Sequence, residues 1–367
     1  MNKISRRRFL EGTASSAFLA SALQVRSGKG MKTSGNTLST GSSCGKSGKV
    51  FSGALWWLAS DVSVAGHADL KREIADQKNA GFDLLWLCGT KYVLTPVLEG
   101  KIEDPFPILL REAERLGMRV MVETYKSSKW WENPDWETEK RENDILIGEV
   151  LDRYGKFPAF WGWYVGYETH HAEGELAKSY KSLLTHIRAR CAKESPGKPV
   201  MLSPFFLLDR EGLLGFKWIP PKEFRRFWTE VLKDSEIDIL ALQDSGEHLS
   251  CYEVEARRPF LEAGKEACDT AGARFWGNVE TGELKVDGVK EYSKIRHQLD
   301  FGGTGNLWRR VPLEKLKRKV ALAEEFSEEL VTWGYTEYWR PSKGEEARKY
   351  YEAYVDWVRN RKPPAKG

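Results

Sequence analysis

Short apolar runs alternate with amphipathic stretches along most of the chain. The runs begin at Val50, Phe82, Arg119, Phe160, Lys198, Ile237, Arg274 and Val331. Successive starts lie 32 to 57 residues apart, which is enough for a strand, a helix and two loops. Continuous apolar strands are typical of a parallel sheet that helices cover on its outer face. Eight such units predict an α/β fold, specifically a single (β/α)8 TIM barrel.

The stretches between the runs carry the marks of helix starts and stops. The predicted helices span 67–79, 105–116, 134–154, 173–194, 221–233, 252–270, 312–326 and 345–359. Glycine follows the first three, and proline opens several, as expected at helix ends. A doubly wound open sheet is the rival fold, but it normally has a glycine-rich phosphate turn after its first strand. The first run ends instead in LASD, and the long last spacing predicts an insertion near 281–311.

The first 48 residues have a different composition from the rest. The run SRRRFL at residues 5–10 precedes a weakly apolar stretch and the small residues ASA at 20–22. This order resembles a twin-arginine signal peptide, which we place at residues 1–22. Residues 23–48 are rich in Gly, Ser, Thr and Lys and are predicted to be a disordered linker. The barrel domain is then expected at 49–362, in a protein exported to the periplasm or secreted.

Charge and cysteine content exclude several functions. The net charge is +4 over 367 residues, but residues 1–22 carry +3 and residues 23–50 carry +5, so the remainder carries −4. A mildly acidic domain is not expected to bind nucleic acid. No apolar run approaches the length of a membrane-spanning helix. The five cysteines form no CxxC pair, and we expect free thiols, no metal site and no cofactor. The oligomeric state stays open.

Acidic residues end several of the predicted strands. Glu123, Glu168, Asp244 and Glu280 end the third, fourth, sixth and seventh. In a TIM barrel these ends converge on one mouth. Two facing carboxylates can split a glycosidic bond, because one protonates the leaving oxygen while the other attacks the anomeric carbon or activates water. Glu168 and Glu280 are the predicted catalytic pair, with Asp244 as an alternative base. The structural alternative for the two glutamates is pairing with an arginine at the mouth, and for Asp244 it is a cap on the following turn.

Aromatic content also favours a sugar site. The chain has 15 tryptophans, many of them in or just after predicted strands. The apolar face of a pyranose stacks on such rings. The residues predicted to contact substrate are Trp57, Glu123, Trp131, His170, Asp244, Trp276, Asn278 and Tyr335. The adjacent His170 and His171 project in different directions and have no third ligand at helical spacing, so a metal site is not predicted there.

Four ordered motifs resemble a known family. They are FWGWYVGYE at 160–168, KPVMLSPFF at 198–206, IDILALQDS at 237–245 and FWGNVE at 275–280. The set resembles domain of unknown function 4434 over residues 51–359, which implies a TIM barrel related to glycoside hydrolases. The chain also resembles retaining barrel glycosidases, and that likeness implies Glu168 as acid/base and Glu280 as nucleophile. Those enzymes usually have Asn before the first glutamate, where this chain has Tyr167.

The sequence therefore predicts an exported hydrolase that cleaves glycosidic bonds, with retention favoured over inversion. Two alternatives stay open at this point. One is a carbohydrate-binding barrel without catalysis, because one fold hosts many functions. The other is a lyase or epimerase acting on acidic sugars, with His170, Arg309 and Tyr335 converging in the mouth.

Overall fold

The computed structural model describes residues 49–62, 67–128, 130, 134–212, 217–244, 251–284, 286, 291 and 308–361. The predicted signal peptide and linker, residues 1–48, lie outside this part of the chain, as does Trp131. Export by the twin-arginine route and the domain boundaries therefore stay predictions. Among the described helices, none has the length and apolar character needed to cross a bilayer.

Eight parallel strands close into a barrel, which confirms the predicted TIM barrel. The described strands, all of which except β8 and β9 belong to the barrel, are β1 (Phe51–Trp57), β2 (Leu84–Cys88), β3 (Arg119–Glu123), β4 (Phe160–Val165), β5 (Val200–Leu202), β6 (Ile239–Gln243), β7 (Arg274–Asn278), β8 (Gly282–Leu284), β9 (Trp308–Arg310) and β10 (Glu329–Thr332). The barrel order is β1-β10-β7-β6-β5-β4-β3-β2, and β1 pairs with both β2 and β10. Strands β8 and β9 form a separate antiparallel pair within the predicted insertion.

Helices follow most of the barrel strands and cover them. They are α1 (Leu58–Val62), α2 (His67–Asn79), α3 (Thr90–Leu98), α4 (Phe106–Arg115), α5 (Trp136–Tyr154), α6 (Gly174–Glu194), α7 (Pro221–Ser235), α8 (Arg258–Ala271), α9 (Leu313–Glu324) and α10 (Glu345–Asn360). The helix predicted from 252 begins later, after a 3-10 turn at Val254–Arg257. Pro259 lies in its first turn, where the missing N–H costs no helical hydrogen bond.

The last barrel strand is shorter than the sequence pattern indicates. It ends at Thr332, and residues Tyr335–Trp339 form a π-helical turn. Gly334 stands between them with a φ of 96°, a left-handed conformation that glycine adopts readily. A Cβ atom there would also lie 2.7 Å from the Thr281 hydroxyl. Tyr335, which was predicted to contact substrate, therefore does not lie on the last barrel strand, because the chain has already turned away.

Two apolar layers hold the barrel together. The inner layer fills the barrel with large side chains from several strands, including Trp86, Met121, Tyr164, Met201 and Trp276. A larger outer layer lies between the strands and the helices. The barrel is a packed core and not a pore, as in other TIM barrels. The packed interior therefore leaves no room for a ligand inside the barrel.

Candidate active site

The carboxyl ends of the strands surround a small cavity of about 30 Å³. Its lining comes from β1, β4, β6, β7 and β10 and consists of Leu55, Trp57, Glu168, Gln243, Asn278, Glu280 and Trp333. The closed barrel thus brings together four of the residues predicted from the sequence, which are Trp57, Glu168, Asn278 and Glu280. A cavity of this volume holds roughly two water molecules. The cavity is narrow and polar, and two carboxylates form part of its wall.

Glu168 follows β4 and lies in an enclosed, weakly cationic environment. The hydroxyl of Tyr164 donates a hydrogen bond to its Oε1. Burial raises the pKa of Glu168, and Lys126 together with hydrogen bonds from Tyr164 and Gln243 offsets only part of that effect. A carboxyl with a raised pKa keeps its proton to higher pH. This environment suits a general acid.

Glu280 follows β7, and its backbone is held from two sides. Its N–H donates to Oδ1 of Asp244 at 3.2 Å, and its carbonyl oxygen accepts from Nζ of Lys319. Lys319 Nζ also lies 3.0 Å from Oδ2 of Asp244, and Arg257 donates to the Asp244 carbonyl oxygen at 2.9 Å. Only 1% of Glu280 is exposed. Asp244 therefore holds the chain that carries Glu280, and it does not line the cavity.

Lys319 is an unusual residue for this position. It lies on α9 among apolar neighbours and is 1% exposed. Burial lowers the pKa of Lys319, whereas the neighbouring Asp244 carboxylate raises it. An ammonium group is retained in such surroundings only when it is paired and hydrogen-bonded. Its two contacts to Asp244 and Glu280 meet that requirement.

Hydrogen bonds of amide and hydroxyl side chains hold the part of the cavity wall that β6 and β7 contribute. Asn278 Nδ2 donates to Oγ of Ser203 at 3.0 Å, and Gln243 Nε2 donates to the Ser203 carbonyl oxygen at 2.7 Å. Ser203 Oγ donates in turn to the carbonyl oxygen of Ala241 at 2.7 Å. Asn278 Oδ1 is buried and accepts no hydrogen bond from the described residues. It is an oriented acceptor beside the two carboxylates.

Glu123 ends β3 close to Glu168 but does not line the cavity. Its Oε2 accepts from the Gly89 N–H at 2.6 Å, and its Oε1 lies 3.9 Å from Lys126 Nζ. Burial raises the pKa of Glu123, the Lys126 charge and the Gly89 hydrogen bond lower it, and the Glu168 charge adds a smaller increase. A Cβ atom on Gly166 would lie 2.5 Å from Glu123 Oε1, so this close packing requires glycine.

Three predicted substrate contacts lie away from the cavity. Trp276 is fully buried in the barrel, where it stacks on Trp161 with ring centres 6.0 Å apart. Tyr335 packs in the outer layer, 5.5 Å from Phe82 between ring centres. His170 Nε2 hydrogen-bonds to the Lys217 carbonyl oxygen at 3.0 Å. None of the three lines the cavity, because strand position alone does not determine which face a side chain occupies.

The three residues required by the lyase alternative do not converge either. Tyr335 and His170 have the separate surroundings described above. Arg309 Nε donates to Oε1 of Glu283 at 2.8 Å, across the β8–β9 pair. This arrangement gives no base and guanidinium clamp facing one substrate.

Several residues in and around the cavity were not among those predicted from the sequence. Gln243 and Trp333 obey the same strand-end rule as the acids, so that rule could have found them. Lys319 interrupts the buried face of an amphipathic helix, between Leu316 and Val320. A cation on an apolar stripe is the signal that would have identified it.

Tyr167, which replaces the asparagine of the resembling glycosidases, faces away from the cavity. Its hydroxyl donates to Oε2 of Glu139 and accepts from Nδ2 of Asn143 at 3.0 Å. Its ring packs edge-on against Trp130. The amides that line the cavity with the carboxylates are instead those of Gln243, on β6, and Asn278, on β7.

One group of potential metal donors occurs among the described residues. His171 and Glu173, after β4, and Glu223, in the first turn of α7, offer atoms within 4.8 Å of one another. Nζ of Lys217 already pairs with Glu173, which is largely exposed. Exposed acidic groups of this kind commonly bind no metal, and we assign no metal or cofactor to this group.

Comparison with known proteins identifies a family and several solved structures of similar fold. The family described as Domain of unknown function (DUF4434) matches residues 51–345. A candidate α-L-fucosidase from Bacteroides thetaiotaomicron has 18% identity and a TM-score of 0.65, with 89% of this chain and 99% of that chain covered.

More distant structures have the same architecture. An endo-1,4-β-D-mannanase from Thermotoga petrophila has 11% identity and a TM-score of 0.54, covering 77% and 87% of the two chains. A β-galactosidase from Marinomonas ef1 has 10% identity and a TM-score of 0.53, covering 83% and 59%. None of the curated proteins matches the chain in sequence. At these identities the solved structures show that the chain shares their fold, and nothing more.

Proposed function

The chain belongs to the DUF4434 family, and we propose that it is a glycoside hydrolase in which Glu168 and Glu280 act on one glycosidic bond. The observation that carries the proposal is that both carboxylates line the same cavity, at the ends of β4 and β7. Two carboxylates in one cavity are what acid/base cleavage of a glycoside requires. The glycoside hydrolase-like fold supports the same conclusion.

Glu168 serves as the general acid. Its pKa is raised, mainly by burial, and this favours the protonated carboxyl that a general acid needs for the leaving oxygen. The Tyr164 hydroxyl holds the Oε1 atom in place. After the leaving group departs, the same carboxylate can remove a proton from the incoming water.

Glu280 serves as the nucleophile, and retention of configuration follows. Attack by its carboxylate forms a glycosyl ester and expels the leaving group, which takes the proton from Glu168. Water then hydrolyses the ester and gives its proton back to Glu168. The contacts of Asp244 and Lys319 with the Glu280 backbone support this role, because they fix the attacking group before substrate binds.

The small cavity receives the scissile bond and not a whole sugar. Its volume of about 30 Å³ suits two oxygen atoms and a water molecule. Trp57 and Trp333 supply aromatic surface, and Asn278 Oδ1 is placed to accept a hydrogen bond from a sugar hydroxyl. We further propose that the protein works outside the cytoplasm, on the strength of the SRRRFL run near its start.

A panel of nitrophenyl glycosides tests the proposal. The panel includes α-L-fucoside, β-mannoside and β-galactoside, and product anomers are read by NMR. We expect turnover of at least one substrate with retention. Glu168→Gln and Glu280→Gln should each lower kcat/KM on an unactivated substrate by roughly 10³-fold or more.

The matched control is Glu173→Gln, an exposed carboxylate five residues beyond Glu168. It should leave kcat/KM within about twofold of wild type. Saturable oligosaccharide binding without turnover by any variant would instead favour the carbohydrate-binding barrel. Turnover that survives both glutamate substitutions would reject the assigned pair.

A further inference from the structure

A second and larger cavity lies at the opposite end of the barrel. Its volume is about 520 Å³, which falls within the range of small-molecule sites. The residues that line it come from the amino ends of β4 to β7 and from the end of α6, so it is separate from the carboxylate cavity. In a TIM barrel this end ordinarily serves stability and not chemistry.

The ionisable side chains of this floor cavity are Arg188, Lys198, Asp238 and Arg274. The single carboxylate is already engaged. Arg188 contacts both oxygens of Asp238 at 3.0 Å, and the Val200 N–H donates to Oδ2 at 2.8 Å. The remaining cations, Lys198 and Arg274, therefore share no available carboxylate in the cavity wall.

Lys198 is half-buried, and its contacts are with a backbone oxygen and a ring. Its ammonium group donates to the Phe160 carbonyl oxygen and lies 4.7 Å from the centre of the Phe160 ring. It has no ion pair with any described residue. Burial lowers the pKa of Lys198, as expected for a cation that loses water without gaining a counter-charge.

Arg274 is placed by aromatic rings. Its guanidinium carbon lies 5.8 Å from the ring centres of both Trp161 and Trp276, and it too forms no ion pair within the described part of the chain. Because the stacked tryptophans hold the guanidinium in position, its N–H groups remain free to bind an anion at little entropic cost.

We propose that this floor cavity binds an organic phosphate monoester. The phosphate dianion would lie between Lys198 and Arg274, where charge-assisted hydrogen bonds offset the cost of burying two cations. The organic part would pack on Pro196, Pro199 and the edge of Trp161, which supply apolar surface in the same cavity. A cavity of about 520 Å³ leaves ample room beyond a single inorganic ion. The proposal does not depend on the reaction at the mouth.

Isothermal titration calorimetry of the full chain with three probes tests this inference. The probes are phenyl phosphate, inorganic phosphate and phenol, at low ionic strength in a buffer without phosphate. We expect saturable binding of phenyl phosphate, weaker binding of inorganic phosphate and none of phenol. Lys198→Gln and Arg274→Gln should each weaken phenyl phosphate binding about tenfold, the effect of losing one charge-assisted hydrogen bond.

Matched controls keep the result specific to this cavity. Lys178→Gln on α6 and Arg141→Gln on α5 remove exposed cations elsewhere and should leave the affinity unchanged. If Arg274→Gln does not fold, Lys198→Gln decides the question alone. Absence of saturable binding, or equal affinity in wild type and Lys198→Gln, would overturn the proposal. Equal affinity for phenyl phosphate and inorganic phosphate would overturn the organic part of it.

Discussion

Carboxyl groups at the mouth of the barrel, where the strands end, and at its floor, where the strands begin, have pKa values that are shifted in opposite directions. At the mouth, burial outweighs the nearby cations and raises the pKa of Glu123 and Glu168. At the floor, burial would also raise the pKa of Asp83, but hydrogen bonds from Lys49 and Arg119 lower it. Glu329 behaves in the same way, with hydrogen bonds from Arg119 and Ser52.

The difference separates chemistry from stability along one barrel. A carboxyl whose pKa is raised by burial carries an uncompensated desolvation cost when ionised, but the same shift is useful in catalysis. When a carboxylate pairs with arginine, the pairing offsets the desolvation cost of burying the carboxylate, and it also links strands of the barrel. Arg119, for example, lies 2.9 Å from Asp83 and 2.7 Å from Glu329, and so connects residues at the starts of β2, β3 and β10. Such a division agrees with the general trade-off between active-site function and stability.

The largest expected effect comes from the cation beneath Glu280. Lys319→Met removes the ammonium group that pairs with Asp244 in a fully buried setting. Breaking a buried pair costs about 3–5 kcal/mol, because the remaining charge is left poorly compensated. We expect a loss of that size in the free energy of unfolding, measured by urea denaturation at pH 7.

The matched control for this change is Lys317→Met on the same helix. Lys317 pairs with Glu314 at the surface, and its loss should change the free energy of unfolding by less than about 0.5 kcal/mol. Equal losses in the two variants would show that the buried pair has no special role at the mouth.

A second effect concerns Glu73, which packs near Arg340 and Asp61 at the mouth end. Burial raises the pKa of Glu73 from 4.5 to about 7, and Arg340 opposes the increase. The neutral carboxyl therefore contributes stability that is fully present below about pH 4.5 and is lost as the pH rises through about 7. The gap corresponds to about 3 kcal/mol.

Glu73→Gln should remove this dependence. From pH 5 to pH 8, the free energy of unfolding of wild type should fall relative to that of the variant. Denaturant titrations at four pH values measure the difference, with exposed Glu99→Gln as the control. Parallel pH profiles for wild type and Glu73→Gln would be inconsistent with a carboxyl that stays neutral near pH 6.

The smallest effect is expected at the floor. Arg119→Gln removes hydrogen bonds to Asp83 and Glu329, both of which are partly exposed, and should cost about 1–2 kcal/mol. Because those carboxyls have lowered pKa values, their stabilisation is present above about pH 4.5 and is lost as the pH falls.

The floor variant should therefore lose less stability than wild type between pH 5 and pH 3. Thermal unfolding across that range measures the slope. Lys101→Gln removes an exposed pair with Glu99 and should leave the slope unchanged. A steeper acid response in Arg119→Gln than in wild type would reverse the assigned direction.

The barrel could be predicted because its signals are local. Each apolar run and each helix end is read from neighbouring residues, and seven of the eight barrel strands lie where the runs predict them, while the eighth overlaps its run only at Val331 and Thr332. Strand-end position also brought Glu168, Glu280, Asn278 and Trp57 to one cavity.

The remaining features depend on where the chain turns and on long-range packing. Tyr335 lies away from the mouth because the strand ends before Gly334. Trp276 points into the barrel and not toward its rim. Asp244 holds the backbone of Glu280 and does not face the cavity, because Lys319, which lies 75 residues later on a helix, pairs with it. Hydrophobic periodicity carries no information about such contacts.

The central claim is that Glu168 and Glu280 have different roles in cleaving one bond, and leaving-group dependence tests it most directly. For a sugar that the enzyme accepts, kcat/KM is measured on the 2,4-dinitrophenyl and the methyl glycosides with Glu168→Gln and Glu280→Gln. Glu168→Gln should retain turnover of the dinitrophenyl glycoside within about tenfold of wild type but lose roughly 10³-fold on the methyl glycoside, since only the latter needs an acid. Glu280→Gln should lose roughly 10³-fold or more on both. An identical response of the two variants to the two leaving groups would contradict the account.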